Sequence, residues 1–390
     1  MVGCSEVVGG VLVLWAESGL WIEGEEEWEW GEGVNWCARS LPDGPAGFAS
    51  GCNQFRYRHQ IPSPYSQRST PEELETALET ALEEGYRHID TAYVYQNEDA
   101  IGRVLSRWLS AGKVTRDELF IVTKLPPVGN RPEGVSKYLG RSLKSLGLDY
   151  VDLYLVHVPY GFKEKDEELT PTAEDGSVLL DNDTDHAAIW KAMEEEVTKG
   201  RTKAIGLSNF NEKQIERVLK GAVLPPANLQ VELHIYFQQR RLVEFCKKHD
   251  ITVCAYSPLG SRGTAGLLSS KELPDLMDNP VVKEIAERLS RTPAQVLLRH
   301  TVQRGIAVIP KSTNKDRIRQ NFKVLDFTLS DEDVSKLDAL DQGPVGRIVD
   351  FSFFKGETAA AYLLNKERDK ENSEVVWINN GKLTGLIVRY

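Results

Sequence analysis

The sequence predicts an α/β protein, a parallel (β/α)8 TIM barrel whose first strand and N-terminal hairpin are atypical or missing. Three observations predict it. Seven short apolar runs rich in β-branched residues each give way to a helical pattern. Each run ends on polar residues: Asp90, Lys124, His157, Ser208-Asn209, Gln230, Tyr256 and Lys311. Alternating strands and helices with polar groups at strand C-termini build a parallel barrel whose site lies at that rim. The chain of 390 residues has room for one barrel of about 250 residues plus additions.

The first element expected in such a barrel is the one not found. Residues 1–68 carry five of the eight tryptophans, three of the five cysteines and an acidic run from Glu23 to Glu32, without sustained periodicity. This composition reads as a poorly ordered N-terminal segment. Regular patterning begins at Ser69, so the barrel is expected over 69–355, with an atypical tail over 356–390. Ser69-Thr70-Pro71-Glu72-Glu73 is a helix start: a capping hydroxyl, a proline in the first turn and acids at the positive end of the dipole. Its helix carries Leu74, Ala77, Leu78 and Ala81 on one face and stops near Gly85. Further helices are expected from Ala100 to Trp108, Gly134 to Leu146, His186 to Val197, Glu212 to Leu219, Arg241 to Lys248, Val281 to Leu289, Pro293 to Thr301 and Lys315 to Phe322. The polar stretch from Tyr160 to Asp185 is a long loop over the mouth or side of the barrel.

Composition narrows the function. A formal net charge of −11 argues against nucleic acid or an anionic membrane surface as partner. Cys4, Cys37, Cys52, Cys246 and Cys254 form no metal spacing, and the seven histidines include no HExxH pair, so no metal is expected. The odd cysteine count and lone thiols suit a reducing compartment, and a cytoplasmic monomer is the expected state. Val7 to Ala16 is too short for a bilayer span and lacks a basic flank. Asn182-Asp183-Thr184 fits a glycosylation sequon but reads here as a polar loop.

Asp90, Lys124 and His157 end successive strands, and Tyr95 follows just beyond Asp90. A phenol is a poor proton donor near neutrality; a neighbouring ammonium lowers its pKa, and a carboxylate can hold that ammonium. Asp90, Lys124 and Tyr95 can therefore form a tuned general acid, with His157 orienting a carbonyl. Singly, these residues read as a helix cap, a surface lysine, a packed aromatic and a core histidine; at successive strand ends they read as one site. No Gly-x-Gly-x-x-Gly occurs, so a Rossmann site is unsupported. Ser208, Asn209 and Gln230 suit a carboxamide, Tyr256 offers a face for a nicotinamide ring, and Ile309 to Asn314 with Arg317 place cations and donors at a helix start suited to phosphate.

With these motifs in place, residues 69–355 resemble the aldo-keto reductase superfamily. Gly85 to Tyr95 resembles its first signature, Leu155-Val156-His157 its histidine segment and Ile309-Pro310-Lys311-Ser312 its cofactor signature; Ala204 to Phe210 and Ala255 to Ser261 also match. The resemblance implies NADPH bound across the C-terminal mouth and reduction of a small carbonyl substrate to an alcohol. By carry-over it implies Tyr95 as proton donor, Lys124 and Asp90 as its tuning groups and His157 as the orienting group. Ser208, Asn209 and Gln230 would hold the carboxamide, and Tyr256 would stack on the nicotinamide. Ser257, Leu259 and Ser261 would line the pyrophosphate. Lys311, Ser312, Thr313, Asn314 and Arg317 would hold the 2′-phosphate, with Gln320 and Asn321 near the adenine. Three departures accompany the resemblance. Ser63-Pro64-Tyr65-Ser66-Gln67 stands where the family's first strand is expected, Val158 replaces a frequent aromatic, and an unfamiliar sequence follows Gly356. The run Val7 to Trp15 is a candidate substitute strand. The competing readings are a non-catalytic NADPH-binding or interaction protein with an incomplete barrel, and a barrel isomerase or aldolase.

Overall fold

The computed structural model describes residues 54–56, 70–260, 274–349, 378–379 and 382–383. Strand β1 (Gln54–Arg56) lies in the N-terminal segment, upstream of the Ser63 to Gln67 stretch. It pairs in parallel with β2 (His88–Asp90), Arg56 opposite Asp90. The sheet continues through β3 (Phe120–Leu125) and β4 (Val151–Val156). A small antiparallel pair, β5 (Gly161–Phe162) and β6 (Leu180–Asp181), braces the long loop that follows β4. The main sheet resumes with β7 (Thr202–Ser208), β8 (Asn228–Glu232), β9 (Thr252–Tyr256) and β10 (Ala307–Val308). The order is β1-β2-β3-β4-β7-β8-β9-β10, with every neighbouring pair parallel. Among the described residues no ladder joins β10 back to β1, so pairing leaves the barrel open at the seam beside its short first strand. In the tail, β11 (Ile378–Asn379) and β12 (Lys382–Leu383) pair antiparallel. The run Val7 to Trp15 lies outside the described residues.

Helices follow the strands as the patterning predicts. In α1 (Pro71–Glu83), Thr70 and Glu73 form a reciprocal capping box and bury Leu74, Ala77, Leu78 and Ala81. Gly85 then turns the chain with φ +101°, in the region that favours glycine. The others are α2 (Glu98–Ser110), α3 (Pro132–Leu146), α4 (His186–Thr198), α5 (Glu212–Gly221), α6 (Arg240–Lys248), α7 (Pro280–Arg288), α8 (Pro293–Gln303) and α9 (Lys315–Phe322). One more helix, α10 (Asp331–Asp338), was not expected from the sequence, although the Ser330 and Asp333 capping box signals its start. Among the described residues no helix is long and apolar enough to cross a membrane.

Strand pleating sorts the side chains. Successive residues point to opposite faces, so Val122, Leu153 and Leu155 pack with Phe120 and Ala204 as a small cluster inside the barrel. Ile121, Leu125, Tyr154 and Val156 join the large core against the helices. Lys124 shares parity with Val122, and His157 with Leu155, so both project inward at the rim.

Candidate functional site

The residues Asp90, Lys124, Tyr95 and His157 come from three adjacent strands and the loop after the first. Lys124 and Asp90 are 0% exposed, and Lys124 Nζ donates to Asp90 Oδ1 at 2.6 Å. The same ammonium donates to the backbone carbonyl of Thr91 at 2.6 Å. An ammonium has three N–H groups, so these two bonds aim it without exhausting it; Nζ lies 5.0 Å from the Tyr95 ring centroid. Tyr95 occupies a short 3-10 turn, Tyr93–Tyr95, which Gln96 ends with a left-handed φ of 51°. Its hydroxyl stands 3.4 Å from His157 Nε2, and the two rings meet edge-on at 5.6 Å. A carbonyl oxygen seated beside these two polar atoms could accept from the Tyr95 hydroxyl and, in the tautomer protonated at Nε2, from His157. Two residues before Asp90 on β2, buried His88 is kept neutral with a pKa lowered to about 3, mainly by burial; Asp90 opposes the shift and Lys124 adds to it.

Next around the rim come Ser208, Asn209 and Gln230. Asn209 Nδ2 donates to the His157 carbonyl at 2.9 Å and to Ser208 Oγ at 3.1 Å, and its Oδ1 accepts from the Tyr256 hydroxyl at 2.7 Å. Gln230 Nε2 donates to Asp90 Oδ2 at 2.6 Å, which ties this amide and hydroxyl set to the Asp90–Lys124 pair. Gln230 Oε1 is buried without a hydrogen-bond partner. A buried orphan acceptor is costly, and the amide N–H of a nicotinamide carboxamide is the kind of donor it needs. Two non-glycine residues sit in left-handed backbone here, Asn209 at φ 65° and Ser257 at φ 53°; such strain concentrates at functional sites. Leu259 is half-buried on the same loop, and Ser261 lies outside the described residues.

Beyond β10, Lys311 stands three residues past the strand rather than at its end. Ser312 Oγ accepts from the backbone N–H of Asn314 at 3.2 Å and from Arg317 Nε at 3.4 Å. Asn314 caps α9 by accepting from Arg317 N at 2.9 Å. The Lys311 side chain reaches solvent, but the protein around it, with help from the Arg317 charge, lowers its pKa against the opposing Glu73. Thr313 is half-buried, Gln320 exposed and Asn321 buried. Two cations thus stand close together beside a capped helix start, a donor set that fits a phosphate dianion.

Other contacts at the rim left no mark in local sequence patterning. Buried Glu232 accepts from the backbone N–H groups of Ile348 at 2.6 Å and Val349 at 2.8 Å, and pairs with His234 at 2.9 Å. Burial opposes its ionisation, but His234, Arg347 and the Ile348 N–H together hold its pKa below the usual carboxylate range. This carboxylate pins the segment after α10 to the end of β8. Asn130 Nδ2 likewise holds the carbonyls of Val158 at 2.8 Å and Tyr160 at 2.6 Å, shaping the wall beside His157.

Comparison with known proteins finds relatives along most of the described barrel. The Aldo/keto reductase family profile matches residues 51–342. Aldo-keto reductase family 1 member A1 of Mus musculus is 46% identical over 276 residues, 70% of this chain and 84% of that protein. Dihydrodiol dehydrogenase 3 of Bos taurus is 44% identical over 262 residues, 67% of this chain and 80% of that protein. The solved aldose reductase from Schistosoma japonicum superposes with a TM-score of 0.68 at 42% identity, covering 74% of this chain and 90% of that one.

Proposed function

Since the chain belongs to the aldo/keto reductase family and is an NADP-dependent oxidoreductase, we propose that it reduces small aldehydes or ketones to alcohols with Tyr95 as the proton donor. NADPH, when bound, would supply the hydride. The observation that carries the reading is the Tyr95 hydroxyl 3.4 Å from His157 Nε2, beside the buried Asp90–Lys124 pair. His157 and Tyr95 bind and orient the carbonyl oxygen, and Tyr95 gives it a proton as negative charge develops there. Lys124 stabilises the phenolate that remains, and Asp90 keeps the lysine aimed. Ser208, Asn209 and Gln230 would hold the carboxamide, with the Gln230 acceptor satisfied by it, and Tyr256 would flank the ring. Ser257, Leu259 and Ser261 would border the pyrophosphate. Lys311, Ser312, Thr313, Asn314 and Arg317 would hold a 2′-phosphate, and Gln320 and Asn321 would sit near the adenine.

The test is Tyr95→Phe, which keeps the ring and removes the transferable proton. Turnover of an activated aromatic aldehyde is expected to fall by about 10²–10⁴-fold, while NADPH binding, followed by cofactor fluorescence, stays close to wild type. Turnover equal to wild type in this variant would remove Tyr95 from the mechanism. A non-catalytic binding protein is the less favoured reading, because all four reactive groups converge at one rim.

A further inference from the structure

Helix α2 begins with a buried acid. Glu98 is 4% exposed in its first turn, three residues after Tyr95. Its Oε1 accepts from Thr123 Oγ1 at 2.5 Å, and its carboxyl also bonds the Ser142 side chain on α3. Thr123 is the residue before Lys124 and points to the opposite face of β3, outward toward the helices. Glu98 therefore grips the back of the strand whose front carries the lysine. A second stitch lies alongside: Thr91 Oγ1 donates to Asn97 Oδ1 at 2.7 Å, and the Thr91 carbonyl accepts from Lys124. The turn bearing Tyr95 is thus held at both ends, by Thr91–Asn97 and by Glu98–Thr123.

A surface helix start does not require this arrangement. Exposed acids at a first turn interact with the helix dipole in water, whereas burying a carboxyl carries a desolvation cost that conventional capping avoids. What the buried contact does is set the spacing between the Tyr95 turn and the Lys124 strand, two elements whose reactive atoms must register within a fraction of an ångström. We propose that Glu98 is a positioning residue for carbonyl reduction, registering Tyr95 against Lys124 and His157 through its buried contacts with Thr123 and Ser142. This inference rests on Tyr95 being the proton donor. The group is surrounded by Lys124 and Thr123 on β3, Ser142 on α3, Tyr154 on β4 and Asp99 on its own helix.

The experiment compares Glu98→Ala, Glu98→Gln and Thr123→Val with wild type and with Tyr95→Phe. Turnover is expressed per molecule able to bind NADPH, so that a misfolded fraction drops out. A misplacement of about 1 Å can cost on the order of 10²-fold. Glu98→Ala is expected to lose turnover on that order with KM for the aldehyde and NADPH affinity changed little. Thr123→Val, nearly isosteric, should lose turnover in the same direction. Glu98→Gln, which keeps the hydrogen-bonding shape, should recover most of the loss. Unchanged turnover per binding-competent molecule in both Glu98→Ala and Thr123→Val, with Tyr95→Phe inactive, would overturn this inference alone. Full activity in Tyr95→Phe would instead overturn the reading on which it rests.

Discussion

The Asp90–Lys124 pair and the Lys311–Arg317 pair sit on the same rim, yet their surroundings differ. Lys124 is fully buried and bonded to a carboxylate and a carbonyl, with Asp90 held in turn by Gln230. Lys311 and Arg317 reach solvent at the start of α9. A buried pair meets its desolvation cost when the chain folds, so its geometry is set before any ligand arrives. Exposed cations remain hydrated and screened, and their charge counts most when a dianion displaces that water. The first region is built to hold one arrangement; the second, on the proposed reading, would distinguish ligands.

Removing one member of the buried pair should break the comparison most visibly. Lys124→Met leaves Asp90 buried without its counter-charge. It is expected to lower unfolding free energy by about 3–5 kcal/mol and turnover by about 10²–10⁴-fold. Denaturant unfolding and steady-state kinetics read the two effects; a loss of activity at full stability would mean that the pair is not preorganised.

The exposed pair should behave in the opposite way. Lys311→Ala with Arg317→Ala is expected to leave unfolding nearly unchanged. It should raise the dissociation constant for NADPH by about 10²–10⁴-fold, since hydrogen bonds to charged groups contribute roughly 1.5–3 kcal/mol each. Binding of NADH, which lacks the 2′-phosphate, should change little. Equal losses for both cofactors would place these cations away from that phosphate.

Glu98 sharpens the comparison through pH. Burial raises its carboxyl from 4.5 to about 7, the Thr123 and Ser142 hydrogen bonds opposing the shift. Between these values the folded chain holds a proton that the unfolded chain has released. Stability from this group is therefore complete below pH 4.5, declines as pH rises toward about 7, and is level above it. The slope from one such group is about 1 kcal/mol per pH unit. Glu98→Gln should remove it, so stability curves of variant and wild type should diverge across that window. Parallel curves would mean that the acid titrates normally.

Much of the candidate site could be read from the chain because strand ends are local events. Asp90, Lys124, His157 and Tyr256 lie at or just past the ends of strands, and short apolar runs ending on a polar residue mark such positions without reference to the rest of the fold. The first strand is different. Three residues, Gln54–Arg56, inside an unpatterned segment give no periodicity to read; only pairing with His88–Asp90 identifies them. Helix α10 gives little periodicity to read because its eight residues bury little apolar surface, although its capping box marks its start.

The sequence by itself determined the order of the main-sheet strands after β1 and of helices α1 to α9, the parity that turns Lys124 and His157 inward and Thr123 outward, and the polar identities at the rim. These follow from the pleat and the helical repeat, which act over a few residues. Only the tertiary structure decided that Gln230 reaches Asp90, that Glu98 grips Thr123 and that Glu232 pins Ile348 and Val349. Each of those contacts depends on how strands register side by side and how helices settle on them. Barrel curvature brings together residues that no local period relates, and a buried polar group is tolerable only where such curvature delivers its partner.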